Sequence, residues 1–274
     1  GGPYLCQFSM PTQSCIVSGL TNGTEYQFIA MATNWVGDSA LSEPSAPVAP
    51  TGDAFISTWD TENTSSGSSN STSVTLPLVE DGTYNFVVQW GDGTSGTVTS
   101  AADPDATHVY ADRGTQNIAI TGEINGWSFN GAGDKLKLTN IGDWGSLGFG
   151  NAGGAFKGAE NLTLSTADAP DLTGVTNLGD TFSGAAAFNS DVSAWDVSAV
   201  TDMSGMFSGS GFTGDVSGWD TGSVTTMGGM FADTAFNGDV SEWDTSSLTD
   251  INNMFNASAF TGDISGWDVT GITN

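Results

Sequence analysis

Residues 236–255 read Phe-Asn-Gly-Asp-Val-Ser-Glu-Trp-Asp-Thr-Ser-Ser-Leu-Thr-Asp-Ile-Asn-Asn-Met-Phe, and this stretch is one copy of a unit that returns every 24 residues. Trp195, Trp219, Trp243 and Trp267 keep that step, as do Phe188, Phe212, Phe236 and Phe260. Phe207, Phe231 and Phe255 follow it, together with Met206, Met230 and Met254. Two aliphatic columns complete the set: Val192, Val216, Val240 and Ile264, then Val200, Val224, Leu248 and Ile272. A degenerate earlier copy runs through Asp171, Val175, Leu178 and Phe182, out of step before Phe188. One unit alone cannot bury that many apolar side chains. Stacking the units buries them as continuous columns, which predicts a solenoid over 166–274 with tight turns at the Gly- and Asp-rich corners.

Two other columns are carboxylates: Asp191, Asp215, Asp239 and Asp263, and Asp196, Asp220, Asp244 and Asp268. In units stacked ~4.8 Å apart like strands, neighbouring carboxylates repel by about 1 kcal/mol even at the dielectric of water. Two compensations fit. Asp196-Val197-Ser198 and Asp244-Thr245-Ser246 have the form of Asx-turns, in which the carboxylate accepts a backbone N–H. Calcium is the other, a hard cation satisfied by carboxylate and carbonyl oxygens, with Asp191, Asp215, Asp239 and Asp263 as its candidate ligands. Both can hold at different columns. Between the Asp columns lie Ser193-Ala194, Ser217-Gly218, Ser241-Glu242 and Ser265-Gly266. Small residues repeated on a strand predict a flat face, so Ser193, Ser217, Ser241 and Ser265 form the candidate interaction face for a partner surface, a glycan or another copy. A plain solvated face is the other reading. Ice binding would call for Thr columns, and these are Ser.

Upstream, the alternation is that of strands: Val74–Leu78, Tyr84–Trp90, Thr107–Tyr110 and Ile118–Ile120, with a hairpin signal at Gly91-Asp92-Gly93-Thr94. Residues 60–73, rich in Ser, Thr and Asn, read as a solvated loop. Trp90-Gly91-Asp92-Gly93-Thr94 followed by His108-x-Tyr110 and Gly114 resembles the polycystic-kidney-disease (PKD) type of immunoglobulin-like sandwich, assigned to 53–124. Residues 125–165 form a transition whose Trp127, Phe129, Leu136, Leu138, Ile141 and Trp144 are apolar enough to cap something. In 1–50, Cys6 and Cys15 flank Met10-Pro11. Strands paired across that turn would join the two sulfurs in a disulfide and imply an oxidising compartment; two buried free thiols are the other reading. Leu20-x-x-Gly23-x-x-Tyr26 entering an alternating strand has the form of a tyrosine corner. The whole stretch resembles the C-terminal half of a bacterial fibronectin type III module.

The repeated unit, Phe-Asn-Gly-Asp-Val-Ser-Glu-Trp-Asp with its Leu-Thr-Asp-Ile-Asn-Asn-Met-Phe, resembles the short repeat of the BspA-like leucine-rich-repeat surface proteins of bacteria. The lead-in Ala167-Asp168-Ala169-Pro170-Asp171-Leu172 and the PKD-like stretch before it extend the likeness over 53–274. The expected fold is therefore all-β for the most part: immunoglobulin-like sandwich modules followed by a leucine-rich-repeat-type solenoid. The resemblance implies a cell-surface location and says less about role, because one fold hosts many.

Composition narrows the function. Four Lys and Arg stand against 31 Asp and Glu, a formal charge of -27 over 274 residues. No basic patch exists to neutralise phosphates, which argues against nucleic acid and against anionic membranes. No stretch is apolar enough to enter a bilayer as a helix. Nine Trp and 15 Phe supply a core, so the chain reads as folded and acidic, suited to salt or divalent cations. His108 is the single histidine, which excludes multi-histidine metal sites. Gly145–Gly154 lacks the Lys-Ser/Thr of a phosphate loop, and no carboxylate pair stands out from so many. The expectation is no enzyme, no catalytic residues and no cofactor beyond calcium. The expected role is that of an extracellular structural or adhesive protein whose repeats contact proteins, cells or polymers. Alternative readings are a subunit of a self-assembling filament, surface layer or virion fibre, and a carbohydrate-binding accessory region of a secreted glycan-degrading enzyme. The start at Gly1-Gly2-Pro3 and the stop at Asn274 read as an excerpt whose two ends are covered by other polypeptide.

Overall fold

The computed structural model describes residues 17, 25–48 and 54–274, and they are mainly β, with one short 3-10 turn at Pro104–Ala106. Cys6, Cys15 and the Leu20 and Gly23 of the tyrosine-corner pattern lie outside the described residues. Within 25–48 a hairpin joins β1 (Thr33–Asn34) to β2 (Gly37–Asp38), and Tyr26 bridges Val48 at its open end. Serines shape its second arm. Ser39, Ser42 and Ser45 accept the amides of Ala32, Ala30 and Phe28 on their hydroxyls, while their own amides donate to the same three carbonyls. One arm thus advances three residues for every two on the other.

Nine further strands follow: β3 (Phe55–Asp60), β4 (Ser73–Thr75), β5 (Leu78–Gln89), β6 (Ser95–Val98), β7 (Thr107–Val109), β8 (Thr115–Trp127), β9 (Leu138–Asp143), β10 (Leu147–Gly148) and β11 (Thr163–Leu164). Seven form one sheet in the order β11-β9-β3-β8-β5-β6, with β10 beside the end of β8, and β4 pairs with β7 separately. Alternation selects the buried face, as the pleat requires. Phe55, Ser57 and Trp59 of β3, Tyr84, Phe86 and Val88 of β5, and Ile118 and Ile120 of β8 all point inward. The Asp-Gly hairpin forms as expected between β5 and β6: Gly91 and Gly93 take φ of +90° and +91°, and Asp92 accepts the amide of Thr94. The outer edge of β6 is blocked by side chains. Asp105 accepts the amide of Thr97 and Asp103 that of Thr99, which leaves fewer free donors for another strand.

Residues 60–73 are not simply a solvated loop. Lys137, fully buried, donates from Nζ to the carbonyls of Ser69, Asn70 and Ser73 and to the Ser69 hydroxyl, and sits 3.3 Å from the equally buried Asp134. Asp134 in turn accepts the amides of Ser69 and Thr75 and the Ser69 hydroxyl. A buried charge is tolerated only when its bonds are made, and the loop bends inward to make them.

The sheet continues into the repeats. β9 runs antiparallel to β3, and β11 then adds parallel to β9, as Leu147–Gly148 does to β8. From there each unit donates amides to the carbonyls of the next. Gly154, Phe156 and Gly158 bond Gly179, Thr181 and Ser183; Leu178, Asp180, Phe182 and Gly184 bond Asp202, Ser204, Met206 and Ser208. Met203, Gly205, Phe207 and Gly209 bond Thr226, Gly228, Met230 and Ala232, and Met227, Gly229, Phe231 and Asp233 bond Asp250, Asn252, Met254 and Asn256. This ladder begins at Gly154, inside the stretch expected to be a transition. One continuous apolar core runs from Phe55 to Trp267 and holds the Trp195, Trp219 and Trp243 indoles with both Phe columns.

Candidate functional site

The outward part of each unit is Asp-Val-Ser-x-Trp-Asp, with Ile264 for Val in the last, and its shape follows from three local bonds. The carboxylate of Asp191 accepts the Ser193 amide at 2.9 Å, and Asp215, Asp239 and Asp263 do the same for Ser217, Ser241 and Ser265 at 2.9, 3.0 and 2.9 Å. The Trp195 amide then closes on the Val192 carbonyl at 3.1 Å, with equivalents at Trp219, Trp243 and Trp267. Val192 and Trp195 are thereby turned into the core while Ser193 and Ala194 stay outside. These serines sit on turns, not on the flat strand that their small size suggested. Ser193, Ser217 and Ser265 are exposed and Ser241 is half-buried. The second Asp column repeats the device: Asp196, Asp220, Asp244 and Asp268 accept the amides of Ser198, Gly222, Ser246 and Thr270.

Those bonds stabilise the charged form. The backbone N–H and then the hydroxyl of Ser193, Ser241 and Ser265 hold the carboxyls of Asp191, Asp239 and Asp263 below their ordinary range. At Asp196, Asp244 and Asp268 the hydroxyls of Ser198, Ser246 and Thr270 act first and the amides second, in the same direction. Asp215 is lowered by the Ser217 amide and hydroxyl against the opposing charges of Asp191 and Asp239. Turn-capping therefore occupies one oxygen of every member of the candidate calcium column. Among the described residues no three His, Cys, Asp or Glu side chains converge as a metal-holding group.

On this face the units are tied to one another by indoles. Trp219, Trp243 and Trp267 donate from Nε1 to the carbonyls of Val192, Val216 and Val240 at 3.1, 3.0 and 2.9 Å. Trp195 has no earlier unit in step with it. Its buried Nε1 bonds nothing, and its ring packs edge-on against Trp144 and Phe149 instead.

The 24-residue period also carries a threonine column. Thr201, Thr225, Thr249 and Thr273 keep the same step, and each donates from its hydroxyl to the carbonyl of Thr176, Thr201, Thr225 or Thr249 one unit earlier. Beside it Asn177, Asp202, Thr226 and Asp250 form parallel bridges from unit to unit. Its signal in the sequence is the period itself, which a polar residue keeps as strictly as Trp and Phe do.

His108 is placed as a strut. Its Nε2 lies 2.8 Å from Asp92, its ring stacks on Trp90 and meets Tyr110 edge-on, and Tyr110 donates to the Trp90 carbonyl. Burial drives the Tyr110 phenol well above its ordinary range, with the Asp92 charge adding to it. A cavity of about 370 Å³ lined by Ser69, Thr75, Phe129 and Asp134 lies elsewhere, but Asp134 is already bonded to Ser69, Thr75 and Lys137. No helix among the described residues is long and apolar enough to cross a membrane.

A family model described as "Mycoplasma protein of unknown function, DUF285" matches residues 128–211 and 150–267, together just over half of the chain. The chain belongs to the DUF285 family. The DUF285 match is consistent with the BspA-like resemblance and begins one residue before Phe129, whose amide bonds the carbonyl of Ala155. No curated protein and no solved structure matches the chain.

Proposed function

We propose that this DUF285 chain is an extracellular surface protein that works by contact and performs no catalysis. The observation that supports this is the sameness of the outward turns. The units from Asp191 to Leu248 turn their Val and Trp residues into the core, and every unit presents an Asp-capped turn with a Ser at its second position after the cap. A surface that repeats in one direction suits a ligand that also repeats, a protein fibre or a polysaccharide, because each further unit engages at high effective concentration. In this reading the units stack as a leucine-rich-repeat-type solenoid, 53–124 is a PKD-like sandwich, and 1–50 is part of a fibronectin type III-like module with a Cys6–Cys15 disulfide. The same reading places the chain at the cell surface.

Binding of the purified chain to surfaces coated with a fibrous protein, a neutral polysaccharide or an acidic polysaccharide tests it. One coating should retain the chain, and excision of one whole unit, residues 213–236, should weaken retention more than in proportion to length. Retention by none of them, or retention indifferent to the excision, contradicts the proposal.

A further inference from the structure

The units are not held together evenly around their circumference. All backbone-to-backbone bonds from unit to unit within 201–274 lie on the arc that runs from Thr201 to Gly211 and its counterparts. Across the arc from Phe188 to Val200 and its counterparts, the links are side-chain bonds. They comprise the three indole bonds, Thr213 and Thr261 on the Asn189 and Asn237 side chains, and contacts of Thr221, Thr245 and Ser247.

Ring spacings measure the consequence. Phe182, Phe207, Phe231 and Phe255, on the backbone-bonded arc, are 5.8, 5.7 and 5.9 Å apart. Phe188, Phe212, Phe236 and Phe260, on the other arc, are 6.3, 6.2 and 6.3 Å apart, and Trp243 and Trp267 are 6.3 Å apart. The rings are thus spaced more widely along the arc that lacks backbone bonds than along the arc that has them. Each unit is a wedge.

Both Asp columns lie on the wide arc, and no Lys or Arg side chain lies there to pair with them. The four basic residues are Arg113, Lys135, Lys137 and Lys157, and none follows Lys157. Lys157 pairs with Asp180 and Lys137 with Asp134, away from both columns.

We infer that the array is an electrostatically sprung wedge: repulsion within the Asp columns holds the wide arc open against the backbone-bonded arc, so that ionic strength sets its curvature. The capping bonds favour the charged form of Asp191, Asp215, Asp239 and Asp263, and of Asp196, Asp244 and Asp268, and Asp191 and Asp239 in turn act on Asp215 as like charges. Screening reaches ~30 Å at 0.01 M salt and only ~3 Å at 1 M, less than one unit step, so raising salt across that range removes the repulsion and lets the wide arc close. This goes beyond the proposed role, since it concerns shape and holds whatever the array contacts.

The indoles report the opening directly. In the full chain labelled on nitrogen, the Nε1–H signals of Trp219, Trp243 and Trp267 cross the wide seam, whereas that of Trp195 bonds nothing and serves as the internal control. Raising sodium chloride from about 10 mM to 1 M should move the three signals downfield and slow their exchange with water, while Trp195 stays in place. The combined variant Asp215→Asn, Asp220→Asn, Asp239→Asn, Asp244→Asn keeps an acceptor for each turn and loses the charge, and it should show the high-salt positions already at low salt. Each single variant should give a partial effect, which serves if the combined one does not fold. Three indoles that ignore salt, a Trp195 that shifts as much as they do, or an Asn variant with the parent's salt response would each overturn the inference.

Discussion

Truncating Trp243 to Ala removes a side chain that is 4% exposed, stacked on Trp267 at 6.3 Å and tilted against Phe231 at 6.4 Å. Emptying that volume costs about 3–5 kcal/mol, and the Val216 carbonyl also loses its indole donor, which adds about 1 kcal/mol. For a chain of this size each kcal/mol lowers the midpoint by roughly 2–4 °C, so a fall of order 10 °C is expected in a thermal melt followed by near-ultraviolet circular dichroism. Trp243→Phe separates the two contributions: it keeps most of the volume and drops the donor. Trp195→Phe is its control, because the Trp195 Nε1 has no partner to lose. Trp243→Phe should therefore melt below Trp195→Phe. If Trp243→Ala melts with the parent, the Trp column does not carry the core. If the two Phe variants are equal, the indole bond does not hold the register.

Other outcomes follow from the same bonds. The carboxyls of Asp191, Asp239 and Asp263 are lowered in the folded chain, so their stabilisation is complete above the unfolded value of ~3.9 and disappears as pH falls through the lower folded values. Acid melts of Asp239→Asn should accordingly lose less stability over that window than the parent. Because the turn amides already hold these carboxylates, a chelator at low ionic strength should leave the melting midpoint unchanged, and a fall restored by calcium would show that metal completes the columns. Lys137→Met should cost about 3–5 kcal/mol in urea unfolding, since it strands the buried Asp134 carboxylate, and an effect under 1 kcal/mol would deny the ion pair its role. Asp105→Ala should expose the Thr97 amide on the β6 edge and increase self-association in sedimentation, whereas an unchanged monomer fraction would mean that the edge is protected otherwise.

The repeat was readable because its period is long, strict and carried by large side chains: Phe188, Val192, Trp195, Val200, Met206 and Phe207 are all buried, as are most of their counterparts. The small size of Ser193 suggests a strand, and the turn comes from the Asp two positions before it, whose bond to the Ser193 amide size alone does not show. β3 is not legible locally, because Phe55–Asp60 pairs with residues about sixty and eighty positions on, and local alternation says nothing about such partners. The ladder's start at Gly154 was hidden by Gly-Gly-Ala-Phe-Lys-Gly, where Phe156 alone shows the column. Lys137 carries no sign of a core position in the sequence. Three of its acceptors are carbonyls, those of Ser69, Asn70 and Ser73, and a carbonyl leaves no trace in residue type.

Residue-resolved amide hydrogen exchange tests the central claim, a unit-by-unit ladder on one arc with open turns on the other. Met203, Gly205, Phe207 and Gly209, with Met227, Gly229, Phe231 and Asp233, donate to the following unit and should exchange slowly, in two blocks 24 residues apart. Asp191, Asp215 and Asp239 are exposed and their amides bond no carbonyl, so they should exchange fast at the same interval. Protection that is even along 178–256, or that lacks the 24-residue alternation, would contradict the stacked-unit account.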